Sequence, residues 1–254
     1  MVMFKTSFFS KSTLFLVASI LSVSAMALDS NQTQQLANQG DSEAQITLGI
    51  MYQDGLDVRQ DYAKAVEWYT KAANQGDANA QYFLASLYGT GKGVRQDYAK
   101  AVEWYIKAAN QGNVNSQLNL GTMYYFGEGV RQDYAKAVEW YTKAANQGNV
   151  NAQYNLGVAY DAGKGVRQDN AKAVKWYRKA ADQGDAKAQY NLAMMYRKGE
   201  GVRQDYAKAV EWYKKAAEQG LVNAQYDLGV AYYDGKGVRQ DYTKAVEWHT
   251  KAAN

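Results

Sequence analysis

Hydrophobic residues along this chain fall at helical spacing, in segments that recur every 36 residues. In one segment the apolar positions follow the i, i+4, i+7, i+8 spacing that predicts one face of an α-helix: Ala152, Leu156, Ala159 and Tyr160. The next segment carries a second apolar stripe at helical spacing, made of Ala173, Val174, Tyr177, Ala180 and Ala181. The pattern therefore predicts two helices in each 36-residue unit.

Polar residues and glycines mark the ends of both predicted helices. Asn149 and Asp169 stand where an N-cap side chain accepts a hydrogen bond from a free backbone N–H. Gly163 and Gly184 follow the two segments and suit the left-handed backbone that often ends a helix. The unit is therefore predicted to be two antiparallel helices joined by a short glycine turn. Because neither helix can bury its stripe alone, neighbouring units must stack.

Six such units follow one another in register. One tryptophan per unit marks the period: Trp68, Trp104, Trp140, Trp176, Trp212 and Trp248. A fixed period between about 20 and 50 residues is typical of a repeat array. The predicted fold class is all-α, an α-solenoid (superhelix) of six 36-residue helix-turn-helix repeats over residues 41–254. A degenerate N-terminal half-repeat over residues 28–40 precedes them, since its last residues match the end of a second helix.

The units share the pattern Ala-x-x-x-Leu-Gly-x-x-Tyr, then Gly-x-Gly-Val-x-x-Asp-Tyr, then Ala-x-x-Trp-x-x-Lys-Ala-Ala-x-Gln-Gly. This pattern resembles the Sel-one-like repeat (SLR) family, a relative of the tetratricopeptide repeats. A tetratricopeptide has a tryptophan early in its first helix, whereas here a glutamine precedes the leucine by three residues: Gln45, Gln81, Gln117, Gln153, Gln189 and Gln225. The resemblance implies a right-handed solenoid that acts as an adaptor for other proteins, with its first helices along the concave side.

Residues 1–27 have the composition of a secretory signal peptide. Lys5 and Lys11 precede an apolar run at residues 14–23, and Ala25-Met-Ala27 forms a small-x-small cleavage site. The alternative, an N-terminal membrane anchor, needs a longer apolar run of about 20 residues. We therefore expect an exported bacterial protein, periplasmic or secreted, with no membrane span after signal cleavage. Lys5 and Lys11 also supply two of the four net positive charges, and no run of like charge appears, so nucleic acid is not an expected partner.

The chain offers few residues for catalysis. It has no cysteine and a single histidine, which excludes Cys–His catalysis and zinc sites of ordinary composition. His249 stands where five other units have tyrosine, so we interpret it as a residue of the apolar stripe. No Ser-x-x-Lys nucleophile motif is present. We predict a protein that is not an enzyme and uses no cofactor or metal. The alternative is a weak, β-lactamase-like hydrolase or a binder of peptidoglycan-derived ligands.

Positions that differ between units are candidates for recognition, because the stacking positions are the same in every unit. One face of the first helices varies and is rich in asparagine, whose amide can both donate and accept hydrogen bonds to an extended peptide. Apolar neighbours such as Phe83 and Met194 are expected to select side chains. The predicted peptide-binding groove consists of Asn79, Phe83, Asn115, Asn119, Asn151, Asn155, Lys187, Asn191, Met194, Asn223 and Asp227. The simpler interpretation is a solvated helix surface. The predicted function is an exported scaffold or adaptor that binds a protein or an extended peptide in this groove.

Some positions depart from the regular pattern or repeat without an obvious role. Leu221 replaces the usual N-cap residue and is expected to weaken its helix start by about 1 kcal/mol. Asp57 stands where the other turns have a glycine. The second helix of the sixth unit carries more polar residues than the second helices of the other units. Either its outer face is tolerated in solvent for that reason, or it docks on another molecule. Each turn also carries one arginine, which we expect to be exposed and paired with nearby carboxylates: Arg59, Arg95, Arg131, Arg167, Arg203 and Arg239.

Overall fold

The computed structural model describes residues 30–253, which form thirteen α-helices and no strand. The helices in chain order are α1 (Ser30–Asn38), α2 (Ser42–Asp54), α3 (Tyr62–Asn74), α4 (Ala78–Thr90), α5 (Tyr98–Asn110), α6 (Val114–Phe126), α7 (Tyr134–Asn146), α8 (Val150–Ala162), α9 (Asn170–Asp182), α10 (Ala186–Lys198), α11 (Tyr206–Glu218), α12 (Val222–Asp234) and α13 (Tyr242–Ala253). The predicted signal peptide lies outside the described residues. The predicted fold class, an all-α solenoid of six helix-turn-helix repeats, is confirmed.

The chain divides into two compact units, Met1–Asn113 and Val114–Asn254. In the described part of the first unit, α2 pairs with α3 and α4 pairs with α5, while α1 packs on α2 and α3 packs on α4. The second unit repeats this arrangement with α6 to α13: each first helix packs on its own second helix, and the following first helix packs on that second helix in turn. Stacking between successive repeats within a unit therefore runs through a second helix and the first helix that follows it. Within residues 30–253, no helix has both the length and the apolar character that a membrane span needs.

Side-chain caps and left-handed glycines set the ends of the first helices. Asp41, Asp77, Asn149 and Asp185 each accept a hydrogen bond from a backbone N–H in the first helical turn. Leu221 makes no side-chain cap bond, as expected from the sequence. At the other end of α8, Gly163 has φ 63°, a left-handed backbone conformation that favours glycine. Asp57 takes the same conformation with φ 55° and is the one non-glycine residue with positive φ among the described residues.

Tyrosines of the second helices form the centre of the core. Tyr69, Tyr105, Tyr141, Tyr177 and Tyr213 are only 0–3% exposed. Tyr177 fits because Gly157 of α8 lies opposite its ring, where a Cβ would stand 2.4 Å from Cδ1. The tryptophans are less buried than these tyrosines. Trp68 is buried, but the other five are half-buried, and each of the six has a lysine ammonium 3.7–4.5 Å from a ring centroid.

The glutamine that distinguishes these units links successive repeats. All six copies are 4–8% exposed. Gln81 donates from Nε2 to the carbonyl of Ala73 in the preceding repeat (3.2 Å), and its Oε1 accepts from Nε2 of Gln111 (2.9 Å). Gln111 also donates to the carbonyl of Gly76 (2.9 Å). A buried amide must be hydrogen-bonded, so this glutamine holds its first helix to the second helices of two repeats. From the sequence alone this glutamine indicates the family, whereas its hydrogen bonds between repeats are visible only in the structure.

Candidate functional site

The apolar part of the predicted groove is buried in the core. Phe83 is 5% exposed, and its ring stacks on Tyr69 of the preceding second helix with centroids 5.0 Å apart. The prediction that Phe83 selects side chains of a bound peptide is therefore wrong. Its position on α4 turns toward α3, where the Tyr69 ring supplies an aromatic partner. Val158, at an apolar position of the same varying face, is buried too.

Two asparagines of the predicted groove, Asn79 and Asn191, already bond within the protein. Asn79 is half-buried and its Oδ1 accepts from Nδ2 of Asn113 (3.2 Å). Asn191 of α10 is also half-buried and hydrogen-bonds the hydroxyls of Tyr154 and Tyr177. Burial raises the pKa of both tyrosines, and the bond to Asn191 opposes part of that increase. Asn191 therefore links the fourth and fifth repeats.

A second polar network joins the fifth and sixth repeats. Tyr190 donates its hydroxyl to Oδ2 of Asp227 (3.0 Å), and Nη1 of Arg197 lies 3.8 Å from Oδ1 of the same carboxylate. Burial, together with the Asp227 carboxylate, raises the pKa of Tyr190 to about 12. Met194 accepts at Sδ from the hydroxyl of Tyr213 (3.0 Å) and from Nη2 of Arg197 (3.2 Å). Two predicted groove residues, Met194 and Asp227, are thus engaged by neighbours.

Tyr190 and Arg197 were not predicted from the sequence to belong to this network. A signal for one of them was present, because Tyr190 and Asp227 lie 37 residues apart, which is one repeat plus one position. Side chains at such a separation lie on successive first helices at nearly equal height. Varying positions are therefore not free of the stacking demand, because in the fifth and sixth repeats Asn191, Met194 and Asp227 are partners of tyrosine hydroxyls.

Three predicted groove residues remain exposed at the same register of successive first helices. Asn151 of α8, Lys187 of α10 and Asn223 of α12 all lie in the first turn of their helix. We call these three residues the first-turn row. Asn115 holds the equivalent position in α6 and is half-buried, as are Asn119 and Asn155 one turn further on. The row offers amide donors and acceptors with one cation at its centre, a combination that can bind peptide groups and carboxylates.

The turn arginines are exposed in all six repeats, and no ion pair joins any of them to a carboxylate in the described part of the chain. The expected pairing is therefore wrong, because the aspartate of the same turn is already used. Asp169 accepts from the backbone N–H of Lys172 (2.9 Å), and its other oxygen lies 3.5 Å from Nζ of that lysine. These two bonds cap α9.

His249 lies on the apolar stripe of α13. Its ring stacks on Tyr226 with centroids 5.1 Å apart, and its Nε2 is buried without a hydrogen-bond partner. Residues 30–253 contain no group of three or more His, Cys, Asp and Glu side chains arranged to hold a metal ion. The structure thus places His249 beside an aromatic ring, in a packing position.

Comparison with known proteins identifies the repeat. The Sel1 repeat model matches residues 42–77, 78–113, 114–149, 150–185, 186–221 and 222–254. A comparison with curated proteins gives no match.

Two solved structures resemble the whole array. The crystal structure of c5321, a protective antigen present in uropathogenic Escherichia coli strains and displaying an SLR fold, is 43% identical with a TM-score of 0.86. The match covers 88% of this chain and 48% of that one, so this chain spans about half the length of c5321. A Sel1 repeat protein from Oxalobacter formigenes is 32% identical with a TM-score of 0.77, over 92% of this chain and 95% of that one. Proteins with this repeat are generally scaffolds for protein interactions, and the chain belongs to the Sel1 repeat family.

Proposed function

We propose that this protein is an exported, non-enzymatic scaffold that binds a protein or an extended peptide along the first-turn row. The observation that carries the proposal is the register of Asn151, Lys187 and Asn223, which are exposed at one position of three successive first helices. Export is proposed from the signal-peptide composition of residues 1–27. The similar protein c5321 is described as a protective antigen. This similarity supports the proposal that the protein contacts other molecules outside the cytoplasm.

The spacing of the row suits an extended chain. Packed helices lie about 8–10 Å apart, and α8 contacts α10 directly. An extended peptide rises about 3.3 Å per residue, so about three of its residues span one repeat. One amide or ammonium group of the row would then meet every third residue of the ligand. The row therefore favours binding through the ligand's backbone, with Lys187 adding a preference for an acidic residue near its centre.

The test begins with a partner captured from an extract of exported proteins and then measures its affinity for variants. Changing Asn151, Lys187 and Asn223 to Ala together should weaken binding by about 1–3 kcal/mol, because hydrogen bonds to the ligand are lost. The melting temperature should hardly change, since Ala is a better helix former than Asn or Lys.

The matched control changes three lysines of second helices to Ala: Lys100, Lys136 and Lys172. Each lies over a tyrosine ring, with Nζ 5.3 Å from the ring centroid. Binding to this control should equal binding to the parent. If the control loses affinity while the first-turn variant keeps it, recognition lies on the opposite face. Turnover of nitrocefin or retention on peptidoglycan by the parent would instead favour the hydrolase or glycan-binding alternative.

A further inference from the structure

Each glycine turn of the second unit carries an arginine that has no ion-pair partner within residues 30–253. All of these side chains are exposed, and we call them the turn-arginine row: Arg131, Arg167, Arg203 and Arg239. Other charged residues of the same turns are engaged. Lys164 donates from Nζ to the hydroxyl of Tyr125 (3.0 Å), and a carboxylate oxygen of Glu200 lies 3.6 Å from Nζ of Lys198. The arginines are therefore the turn charges that remain available to a ligand.

Contacts between successive turns place these arginines in one row. A glycine of each turn lies against the backbone at the start of the preceding second helix: Gly165 on Tyr134, Gly201 on Asn170 and Gly237 on Tyr206. A Cβ on any of the three would stand 2.1–2.3 Å from the carbonyl oxygen, so the turns stack closely. In every turn the arginine follows this glycine by two residues. The arginines therefore occupy the same place in each of the stacked turns.

The spacing of the repeats sets the distance between neighbouring arginines. Helix α8 contacts α10 directly, and packed helices lie about 8–10 Å apart. Equivalent positions in successive turns are therefore separated by a similar distance. The polyproline II conformation has three residues per turn and a rise of about 3.1 Å per residue, so every third side chain projects from the same side, about 9 Å from the last. A peptide in this conformation can present one side chain to each arginine.

The fifth repeat shows the site that one turn offers to such a side chain. An open cavity of about 540 Å³ is lined by Tyr196, Val202, Arg203, Gln204, Asp205 and Lys208. Nζ of Lys208 lies 3.4 Å from the Asp205 carboxylate, whereas Arg203 keeps its guanidinium free of any ion pair in the described part of the chain. A guanidinium can bind a carboxylate through two parallel N–H···O bonds. Arg203 can therefore take one carboxylate, with the half-buried Val202 beside it.

From these observations we infer that the turn-arginine row is a docking surface for an acidic segment of a partner protein that carries Glu or Asp at every third residue. Asp205 lies in the same cavity as Arg203, and Asp169 and Asp241 hold the equivalent position in two neighbouring turns. A nucleic-acid strand has one phosphate per about 3.4 Å, so it would bring anions against these carboxylates. One carboxylate per turn of a polyproline II helix avoids that repulsion. The inference does not depend on the first-turn row.

The test uses a synthetic peptide, so it needs no captured partner. The probe is a fluorescent peptide of four copies of the triplet Glu-Pro-Ser, which favours the polyproline II conformation. Fluorescence anisotropy measures its affinity for the protein at low ionic strength. Changing Arg131, Arg167, Arg203 and Arg239 to Gln together should weaken binding by about tenfold or more, because several exposed ion pairs are lost at once. Higher salt should also weaken binding to the parent, since it screens exposed charges.

The matched control changes exposed lysines at the far end of the same second helices to Gln: Lys143, Lys179, Lys215 and Lys251. It alters the net charge by the same amount and should bind the probe as the parent does. The first-turn variant, with Asn151, Lys187 and Asn223 changed to Ala, should also bind the probe like the parent. A peptide of the same composition with its glutamates adjacent should bind about threefold more weakly or worse, because its charges reach fewer arginines.

Circular dichroism verifies that the arginine and lysine variants keep their helices, as expected for exposed side chains. The inference is overturned if the probe does not bind at low ionic strength, or if the lysine control weakens binding as much as the arginine variant does. Equal binding of the adjacent-glutamate peptide would also overturn it. Tighter binding of polygalacturonate, a carboxylated glycan, would overturn it as well and assign the row to a glycan.

Discussion

A methyl group on Gly165 should destabilise the array by breaking the contact between two repeats. Gly165 has φ 75° and lies against α7, where a Cβ would stand 2.1 Å from the carbonyl oxygen of Tyr134 and 2.4 Å from its carbonyl carbon. An oxygen and a carbon in contact need more than 3 Å, so the Gly165→Ala variant must move the turn away from α7 by about 1 Å, as for an overpacked core. The left-handed backbone adds a cost of about 1–2 kcal/mol for any residue with a Cβ.

Gly163→Ala is the matched control in the same turn. Gly163 has φ 63° and so has the same backbone cost, but the three atoms nearest to its Cβ would all belong to Gln168 of the same turn, the first of them 3.2 Å away. We expect Gly163→Ala to lower the free energy of unfolding by about 1–2 kcal/mol and Gly165→Ala to lower it by about 1–3 kcal/mol more. Urea titration followed by circular dichroism at 222 nm measures both. Equal losses for the two variants would refute the argument that the turn glycine exists for stacking.

Three further predictions concern the core, the caps and the array. Tyr177→Ala should cost about 3–5 kcal/mol in urea titration because the ring is fully buried, and Trp176→Ala should cost clearly less because that ring is half-buried; the reverse order would contradict the assignment of the core. Backbone hydrogen bonds from α9, α11 and α13 lower the pKa of Asp169, Asp205 and Asp241. Their contribution to stability is therefore present above the ordinary Asp pKa of about 4 and is lost as the pH falls through the lowered pKa values. Changing all three to Asn, which caps without titrating, should flatten the acid limb of a stability–pH curve, and an unchanged limb would exclude the caps as its cause. Deleting residues 149–184 should leave a shorter helical protein, because repeats contact only their neighbours; loss of most of the ellipticity at 25 °C would show that the repeats are not interchangeable.

The sequence predicts the local structure well because local chemistry determines it. The 36-residue period, the N-caps Asn149 and Asp169 and the left-handed Gly163 each follow from one short segment, and the structure has the helices and the ends that they indicate. The missing cap at Leu221 was also predictable from a single residue. These features need no knowledge of what packs against the segment.

Which residues of the predicted groove are exposed could not be predicted from the sequence, because their exposure depends on side chains of the adjacent repeat. The position of Phe83 carries different residues in different repeats, which suggested that it was available to a ligand. Its ring instead stacks on that of Tyr69 in the core. Asn191 and Asp227 were predicted to line the groove, but the hydroxyls of Tyr177 and Tyr190 use them as hydrogen-bond partners. A residue that varies between repeats is therefore free for recognition only where no side chain of the adjacent repeat reaches it.

Hydrogen exchange of the captured complex tests the proposed recognition surface most directly. Amides in the first turns of α8, α10 and α12 are expected to exchange more slowly when the partner is bound, because the ligand covers Asn151, Lys187 and Asn223. The second helices α9 and α11 should exchange at the same rate with and without the partner. Protection confined to those second helices, with unchanged exchange in the three first turns, would contradict the account.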